Sequence, residues 1–230
     1  MKTALRVFGV IAVVALIIVA IVASVTRKTP NSEIVWDKEM TVGNMEAENY
    51  FIVYSDFACP YCFAFENAII DHEEDFKNYI SRNDILLEVR LSDFMYQYGE
   101  AHSIQSRYGA VATYCAKNEG KFWEYFYLGM KKVWHEFFKD SGKMAFGDYN
   151  KLEKDYWIKI GKEVGLGETF ETCVKNDETL TDVLAAAKKT EKLVTGMPHF
   201  KFNKFTTGGF DLGWGWDYVV RYFEAGLESK

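Results

Sequence analysis

The sequence has no excess of basic residues, no internal repeat and no low-complexity tract. Its formal net charge is −6, so the composition gives no indication of nucleic-acid binding, which needs a basic surface. Proline and cysteine are both scarce, and their positions are Pro30, Pro60, Pro198, Cys59, Cys62, Cys115 and Cys173. A length of 230 residues with 49% apolar residues indicates one domain, or one domain that carries an insertion.

The N-terminus contains an uncharged apolar run from Val7 to Val25, which is just long enough to span a hydrocarbon core. We expect residues 1–27 to form a retained single-pass membrane anchor that leaves the rest of the chain outside the cytoplasm. The alternative is a signal peptide that is cleaved after Ala23, so that the protein is secreted. In both cases the folded part lies where disulfides persist. We interpret residues 28–45 as a polar tether and residues 46–230 as the folded domain.

A run of β-forming residues from Tyr50 to Ser55 predicts a buried strand, and a helical pattern extends from Cys59 to about residue 80. Ile85 to Leu91 is a second strand, so the first part reads as a parallel βαβ unit. A weaker strand is expected within residues 34–42. Further on, we expect helices near residues 101–117, 120–138, 149–164 and 177–194, strands at 199–202 and 205–210, and a last helix with Asp217 as its N-cap.

The stretch Cys59-Pro60-Tyr61-Cys62 places two thiols at the start of the first helix. Proline is tolerated at the first helical position, and the free N–H groups and the helix dipole there favour a thiolate on Cys59. Cys62 lies one turn later, close enough for a disulfide. We expect the Cys59 sulfur to be exposed and nucleophilic and the Cys62 sulfur to be shielded, so that it resolves a mixed disulfide.

Other interpretations of this dithiol fit the sequence less well. A zinc site needs two further ligands, but Cys115 and Cys173 stand alone and the histidines are scattered. A c-type haem site needs histidine after the second cysteine, where Phe63 stands. A structural disulfide in so short a loop would restrain the unfolded chain little. We therefore expect a redox centre that holds no metal and needs no cofactor.

Three stretches, YFIVYSDFACPYC (50–62), YCAKNEGKFWEYF (114–126) and TGMPHFKFN (195–203), resemble the thioredoxin superfamily and, within it, the DsbA-like thiol:disulfide oxidoreductases. The resemblance covers about residues 45 to 228. It implies an α/β thioredoxin fold (βαβ…ββα) with an inserted helical domain at about residues 95–192. The transmembrane helix predicted above would precede this fold.

The resemblance also implies roles for individual residues. Cys59 is similar to the attacking and leaving cysteine and Cys62 to its buried partner. Pro198 is similar to the family's cis-proline, and Met197 to the residue whose backbone contacts the bound substrate; from its sequence alone, Pro198 also fits an ordinary turn proline. Relatives often have cysteines in the inserted helices, so Cys115 and Cys173 form either a structural disulfide or two buried free thiols.

The sequence departs from the family pattern at a position that matters for proton transfer. Many thioredoxin-like enzymes have a buried acid six residues before the first cysteine, where this chain has Val53. Proton handling then falls to water or to another group, for which Asp56 and Glu88 are candidates, although we expect Asp56 to be solvated. Met197 replaces the more usual Thr or Val, and His199 reads as a strand residue with ordinary solvation.

These observations predict an extracytoplasmic thiol:disulfide oxidoreductase that introduces disulfides into secreted or surface proteins. Its partners would be unfolded or reduced protein substrates and, as the family implies, a membrane quinone-linked protein that reoxidises the dithiol. We expect a monomer. Isomerases of this type usually carry a dimerisation domain, for which the short tether leaves no room. The alternatives are a reductase or isomerase that uses the same cysteines, or a non-enzymatic, chaperone-like binding module.

Overall fold

The computed structural model describes residues 37–99, 103–139 and 152–229. The strands are β1 (Thr41–Gly43), β2 (Asn49–Ser55), β3 (Ile85–Leu91), β4 (His199–Phe202) and β5 (Phe205–Gly208). The helices are α1 (Pro60–Ile70), α2 (Glu73–Arg82), α3 (Phe94–Tyr98), α4 (Ile104–Asn118), α5 (Phe122–Trp134), α6 (Lys154–Glu163), α7 (Glu168–Asn176), α8 (Leu180–Glu191) and α9 (Trp216–Glu228). A 3-10 helix (Lys38–Met40) precedes β1, and a π-helical turn (His135–Lys139) continues α5.

Strand β2 lies in the middle of the sheet, whose order among the described residues is β1-β3-β2-β4-β5. It runs parallel to β3, with Asn49 opposite Ile85 and Ser55 opposite Leu91, and the other neighbouring strands pair antiparallel. Every residue of β2 is buried, as expected for an unbroken run of β-formers that is covered on both faces. The predicted βαβ unit and the antiparallel return of the last two strands are confirmed.

The core on one face of the sheet is built from aromatic rings that α9 presses onto β2 and β4. The ring of Phe51 stacks on Phe202 with centroids 4.3 Å apart and contacts Phe223 at 5.2 Å. Helix α9 comes this close because residue 226 is glycine, where a Cβ would lie 2.5 Å from the Cβ of Phe202. Each fully buried phenylalanine stabilises the fold by about 1.5–3 kcal/mol.

Between β3 and β4 the described residues form helices, from α3 to α8, and the loops that join them, which corresponds to the insertion predicted at about residues 95–192. The sequence pattern does not predict α3 or α7. Helix α7 packs tightly on α6, because Gly161 leaves room for the ring of Phe170 where a Cβ would stand only 2.1 Å from it. Such a contact between elements has no counterpart in local periodicity.

Residues 37–43 belong to the folded domain, so the tether predicted at residues 28–45 is too long at its C-terminal end. Strand β1 pairs with β3, the Lys117 ammonium lies 2.7 Å from the Asp37 carboxylate, and the Trp123 indole N–H donates to the Thr41 carbonyl. The predicted anchor, residues 1–27, lies outside the described residues. Within the part of the chain that the structure describes, no helix is long and apolar enough to cross a membrane.

Two helix boundaries also differ from the sequence-based expectation. The first helix ends at Ile70 and a second begins at Glu73, because His72 leaves helical geometry (φ −127°, ψ 38°) and stacks on the ring of Trp216. The last helix begins at Trp216 with Gly215 as its N-cap. Asp217 is therefore a residue of the first turn, where a carboxylate suits the helix dipole, and not the cap.

Candidate active site

Cys59 caps the N-terminus of α1, directly after the loop that leaves β2. Its backbone is extended (φ −103°, ψ 110°) and Pro60 occupies the first helical position. The Cys59 sulfur accepts a hydrogen bond from the backbone N–H of Cys62 at 3.3 Å. Both residues are free thiols. The sulfur at position 59 thus lies against the unpaired N–H groups of a helix start, where negative charge is stabilised.

The segment Met197-Pro198 faces Cys59 from the other side. The Cys59 thiol donates to the carbonyl oxygen of Met197 at 3.3 Å, and the Met197–Pro198 peptide bond is cis. Cys59 is only 2% exposed, so the expectation of an exposed sulfur is wrong. The structure covers this thiol with the chain around Met197, itself 7% exposed, whereas Tyr61 in the middle of the dithiol motif is 40% exposed.

Cys62 is shielded, with 1% of its surface exposed. Burial raises the pKa of its thiol well above the ordinary value, and the neighbouring Cys59 raises it further. The main chain of Asp56 offsets part of this effect by hydrogen bonding to the sulfur. Cys62 is therefore held as a thiol until a group nearby can take its proton.

Asp56 is fully buried, so the expectation of a solvated carboxylate is wrong. One carboxylate oxygen accepts the backbone N–H of Ala58 at 2.7 Å. The other accepts the backbone N–H of Met95 at 2.8 Å and the hydroxyl of Ser106 at 2.7 Å. Burial raises the pKa of Asp56 to about 6, although these three hydrogen bonds lower it in part.

Val53 and Glu88 contribute no proton acceptor at the dithiol. Val53 is a buried apolar residue that pairs with Val89 in the sheet. The Glu88 carboxylate lies 2.7 Å from the Arg90 guanidinium and accepts the backbone N–H of Asp37. Glu88 thus belongs to an ion-pair network that holds residue 37 to the sheet.

Glu66 is a buried acid that the sequence does not indicate, because the helical pattern places it on the wet side of α1. It is 2% exposed, and one carboxylate oxygen has no hydrogen-bond partner. Burial raises the pKa of Glu66 to about 8, which Ser55 lowers only in part. The insertion covers this side of α1, since the next residue, Asn67, donates to the carbonyl of Met130 in α5.

A family model described as Thioredoxin matches residues 36–204, which is more than half of the chain. The chain belongs to the thioredoxin family. The resemblance that the three sequence stretches carry is thereby confirmed. In this family member the matched region contains the dithiol, the whole insertion and the Met197–Pro198 segment.

Solved structures share the fold of this thioredoxin family member. A thioredoxin-like oxidoreductase from Silicibacter pomeroyi DSS-3 is 17% identical with a TM-score of 0.56, over 89% of this chain and 99% of the other. Reduced DsbA from Mycobacterium tuberculosis is 16% identical, with a TM-score of 0.55 and coverages of 85% and 94%. Wolbachia pipientis alpha-DsbA1 is 13% identical, with a TM-score of 0.60 and coverages of 87% and 96%. The comparison with curated protein sequences gave no match.

Two further cysteines of this thioredoxin family member lie in the helical insertion. Cys115 in α4 and Cys173 in α7 form a disulfide, which is the first of the two alternatives that the sequence leaves open. Both are buried, and Thr179 contacts the Cys115 sulfur. The bond links α7 to α4 and involves neither Cys59 nor Cys62.

Two other kinds of group bear on the chemistry of the site, namely the histidine next to Pro198 and any metal ligands. His199, expected to be solvated, is 8% exposed, its Nε2 has no hydrogen-bond partner, and burial lowers its pKa. Within residues 37–99, 103–139 and 152–229 there is no group of three His, Cys, Asp or Glu side chains that could hold a metal ion. The chemistry of the described site is that of two thiols and a buried carboxylate.

Proposed function

We propose that this chain is an extracytoplasmic protein thiol:disulfide oxidoreductase that oxidises its substrates through Cys59 and Cys62. The observation that carries the proposal is the placement of the Cys59 sulfur between a helix N-terminus and the carbonyl of Met197, at 3.3 Å from each partner. The similar solved structures named above include proteins called oxidoreductase and DsbA. Family membership supports the same chemistry.

The reaction begins with the Cys59–Cys62 disulfide form of the enzyme. A substrate thiolate attacks the Cys59 sulfur, the bond to Cys62 breaks, and Cys62 leaves as a thiolate that takes up a proton. A second substrate thiolate then attacks the substrate sulfur of this mixed disulfide, and Cys59 leaves as a thiolate. Two electrons pass from the substrate, which gains a disulfide, to the enzyme, which becomes a dithiol.

The charge on the leaving sulfur supports the oxidising direction. The N–H of Cys62 and the start of α1 stabilise a thiolate on Cys59, and this stabilises the reduced enzyme relative to its disulfide. A dithiol whose reduced form is stabilised is a stronger oxidant. A reductase or isomerase would use the same two cysteines, but its disulfide form would be stabilised relative to its dithiol form.

The substrate chain would lie along residues 196–198, where we assign a binding role to Met197 and Pro198. The carbonyl of Met197 already accepts the Cys59 thiol, so an extended peptide that pairs with this backbone brings its own sulfur to Cys59. Tyr61 is the exposed residue of the motif and offers an apolar ring beside it. The first contact would recognise the backbone of the substrate and the second its apolar side chains. Neither requires a particular sequence, which suits unfolded substrates of many kinds.

The disulfide between Cys115 and Cys173 supports a location outside the cytoplasm, since such bonds persist in oxidising compartments. We further propose that residues 1–27 anchor a monomeric enzyme in the cell membrane. A membrane quinone-linked partner would then accept the two electrons and restore the disulfide. Signal cleavage would instead release the same catalytic domain.

Oxidative refolding of a reduced, unfolded protein that needs several disulfides tests the proposal. The oxidised full-length chain should restore the activity of this substrate, and Cys59→Ser and Cys62→Ser should each abolish the effect. The double variant Cys115→Ala/Cys173→Ala, which leaves the dithiol intact, is the matched control. A chaperone-like binding module predicts the opposite, namely that Cys59→Ser assists refolding as well as the wild type.

A further inference from the structure

The reaction proposed above requires a group that exchanges a proton with the buried Cys62 thiol. Val53 has no titratable group, and the Glu88 carboxylate is paired with the Arg90 guanidinium. Glu66 is one turn beyond Cys62 on α1, but its carboxyl group is protonated at neutral pH because burial raises its pKa to about 8. Among the described residues, Asp56 is the remaining buried acid whose charge acts on Cys62, since it raises the pKa of that thiol.

Asp56 is built into the same turn as both cysteines. Its carbonyl oxygen accepts the N–H of Cys59 at 3.1 Å, its main chain contacts the Cys62 sulfur, and its carboxylate accepts the N–H of Ala58. The carboxylate has no exposed surface. A change of charge on Asp56 therefore changes the pKa of the Cys62 thiol, and water screens this interaction little.

The helical insertion supplies two of the three donors to this carboxylate. Met95 N–H comes from α3 and the Ser106 hydroxyl from α4. Hydrogen bonds to the ionised form lower the pKa of a carboxyl group, and burial raises it. These opposing effects leave Asp56 with a pKa of about 6, which suits proton exchange near neutral pH.

The charged groups that face Asp56 come from α1 and from the start of the insertion. Cys59 and Cys62 lie on the α1 side. Asp93, which precedes α3, raises the pKa of Asp56, but its own carboxylate is paired with the Arg107 guanidinium of α4 at 2.9 Å. The charge at Asp93 is thus largely compensated. The Ser106 hydroxyl is the side-chain donor to Asp56 that a substitution can remove.

We propose that Asp56 takes the proton of the Cys62 thiol when Cys62 attacks a mixed disulfide, and that the insertion tunes this acceptor through Ser106. In this step the proton moves from the Cys62 sulfur to the Asp56 carboxylate. The Cys62 thiolate then attacks the Cys59 sulfur, the Cys59–substrate bond breaks, and the substrate leaves as a thiolate. In the reverse direction, a substrate thiolate attacks the Cys59 sulfur, Cys62 leaves as a thiolate, and Asp56 returns the proton to the Cys62 sulfur. The inference rests on the proposed function.

The test uses the reduced full-length chain and dithiobis-nitrobenzoate, an aromatic disulfide that releases one coloured thiolate in each of two steps. Cys59 releases the first, and Cys62 releases the second when it closes the enzyme disulfide. In Asp56→Asn the second step should slow at least about tenfold at pH 7, while the first stays within about twofold of the wild type. Glu66→Gln, which removes the other buried acid near α1, is the matched control and should keep both rates.

Ser106→Ala gives a readout that a merely structural role would not change. Loss of this donor raises the pKa of Asp56, so the midpoint of the pH–rate profile of the second step should move to higher pH. This variant also decides the matter if circular dichroism shows that Asp56→Asn does not fold. An unchanged midpoint in Ser106→Ala, or equal slowing of both steps in folded Asp56→Asn, would overturn the assignment.

The same measurements separate this inference from the proposed function. If the wild type releases no second thiolate, or Cys62→Ser releases it as fast as the wild type, the dithiol is not the redox centre and the proposed function fails. If the wild type releases both and Cys62→Ser only the first, the proposed function stands. The variants at positions 56 and 106 then decide the role of Asp56 alone.

Discussion

The thiol of Cys59 lies 3.3 Å from the main-chain carbonyl oxygen of Met197, although 138 residues separate them in the sequence. The first residue comes from the loop that follows β2 and the second from the segment that enters β4, and these two strands are antiparallel neighbours. The sheet therefore brings a helix N-terminus with its sulfur against the backbone of Met197.

The mixed disulfide with a substrate should accumulate when the resolving thiol is removed. In Cys62→Ser, the mixed disulfide that forms when Cys59 attacks a substrate disulfide cannot be released by residue 62, because a serine hydroxyl cannot form a disulfide. We expect a covalent enzyme–substrate complex that is visible on a non-reducing gel and disappears when dithiothreitol reduces the mixed disulfide. Cys59→Ser, its matched control, should give no complex, and a complex of equal yield in Cys59→Ser would show that another cysteine is the attacking one.

Alkylation should distinguish the two thiols of the reduced enzyme. The thiolate is the reactive form, and burial raises the pKa of the Cys62 thiol well above its ordinary value. We expect iodoacetamide at pH 7 to modify Cys59 at least about tenfold faster than Cys62, as measured by mass spectrometry of the peptides. In denaturant the two rates should converge. Preferential labelling of Cys62 in the folded chain would contradict the assigned roles.

Glu66 should make the folded state less stable as pH rises. Its pKa is about 8 in the folded chain, against 4.5 for an ordinary glutamate. Between these values the folded chain keeps a proton that the unfolded chain has lost, so the free energy of unfolding falls with pH through this window. We expect Glu66→Gln, which cannot ionise, to be more stable than the wild type at pH 8 by at least about 1 kcal/mol.

The advantage of Glu66→Gln should shrink as the pH is lowered towards 4.5, where the unfolded wild type also binds the proton. Denaturant unfolding at several pH values measures this difference. Glu74→Gln, at an exposed position on α2, is the control and should not show it. A stability difference between Glu66→Gln and the wild type that is the same at pH 5 and pH 8 would argue against a protonated Glu66.

The disulfide between Cys115 and Cys173 should stabilise the insertion without taking part in catalysis. It closes a loop with a sequence separation of 58 residues, for which the chain-entropy model gives about 4 kcal/mol. We expect Cys115→Ala/Cys173→Ala to unfold at lower denaturant concentration by an amount of that order. Thiol exchange by Cys59 at a temperature where the variant is folded should stay within about twofold of the wild type, and a larger loss would link the insertion disulfide to the active site.

The local sequence was sufficient to predict the strand–loop–helix unit that carries the dithiol. The β-formers of Tyr50–Ser55 and the Pro60 at the first helical position each act within a few residues, so their meaning does not depend on the rest of the fold. The same applies to the turn between the last two strands. These local features alone predict that Cys59 lies at the start of a helix.

The buried acids could not be predicted in this way. Asp56 is buried because donors at positions 95 and 106 reach it, and no local pattern links these positions to residue 56. Glu66 lies on the polar side of α1 by helical spacing, but α5 of the insertion packs over that side. A helix whose polar side is covered by an inserted domain violates the rule that charged residues of an amphipathic pattern face water.

The reduction potential of the Cys59–Cys62 pair tests the central claim most directly. The full-length chain is equilibrated in glutathione buffers of graded ratio, and the fraction of dithiol is measured by mass spectrometry after alkylation. The account predicts a strongly oxidising centre, with a potential near about −120 mV. A value near about −270 mV would assign a reductant, and a pair that does not change with the buffer would contradict a redox function altogether.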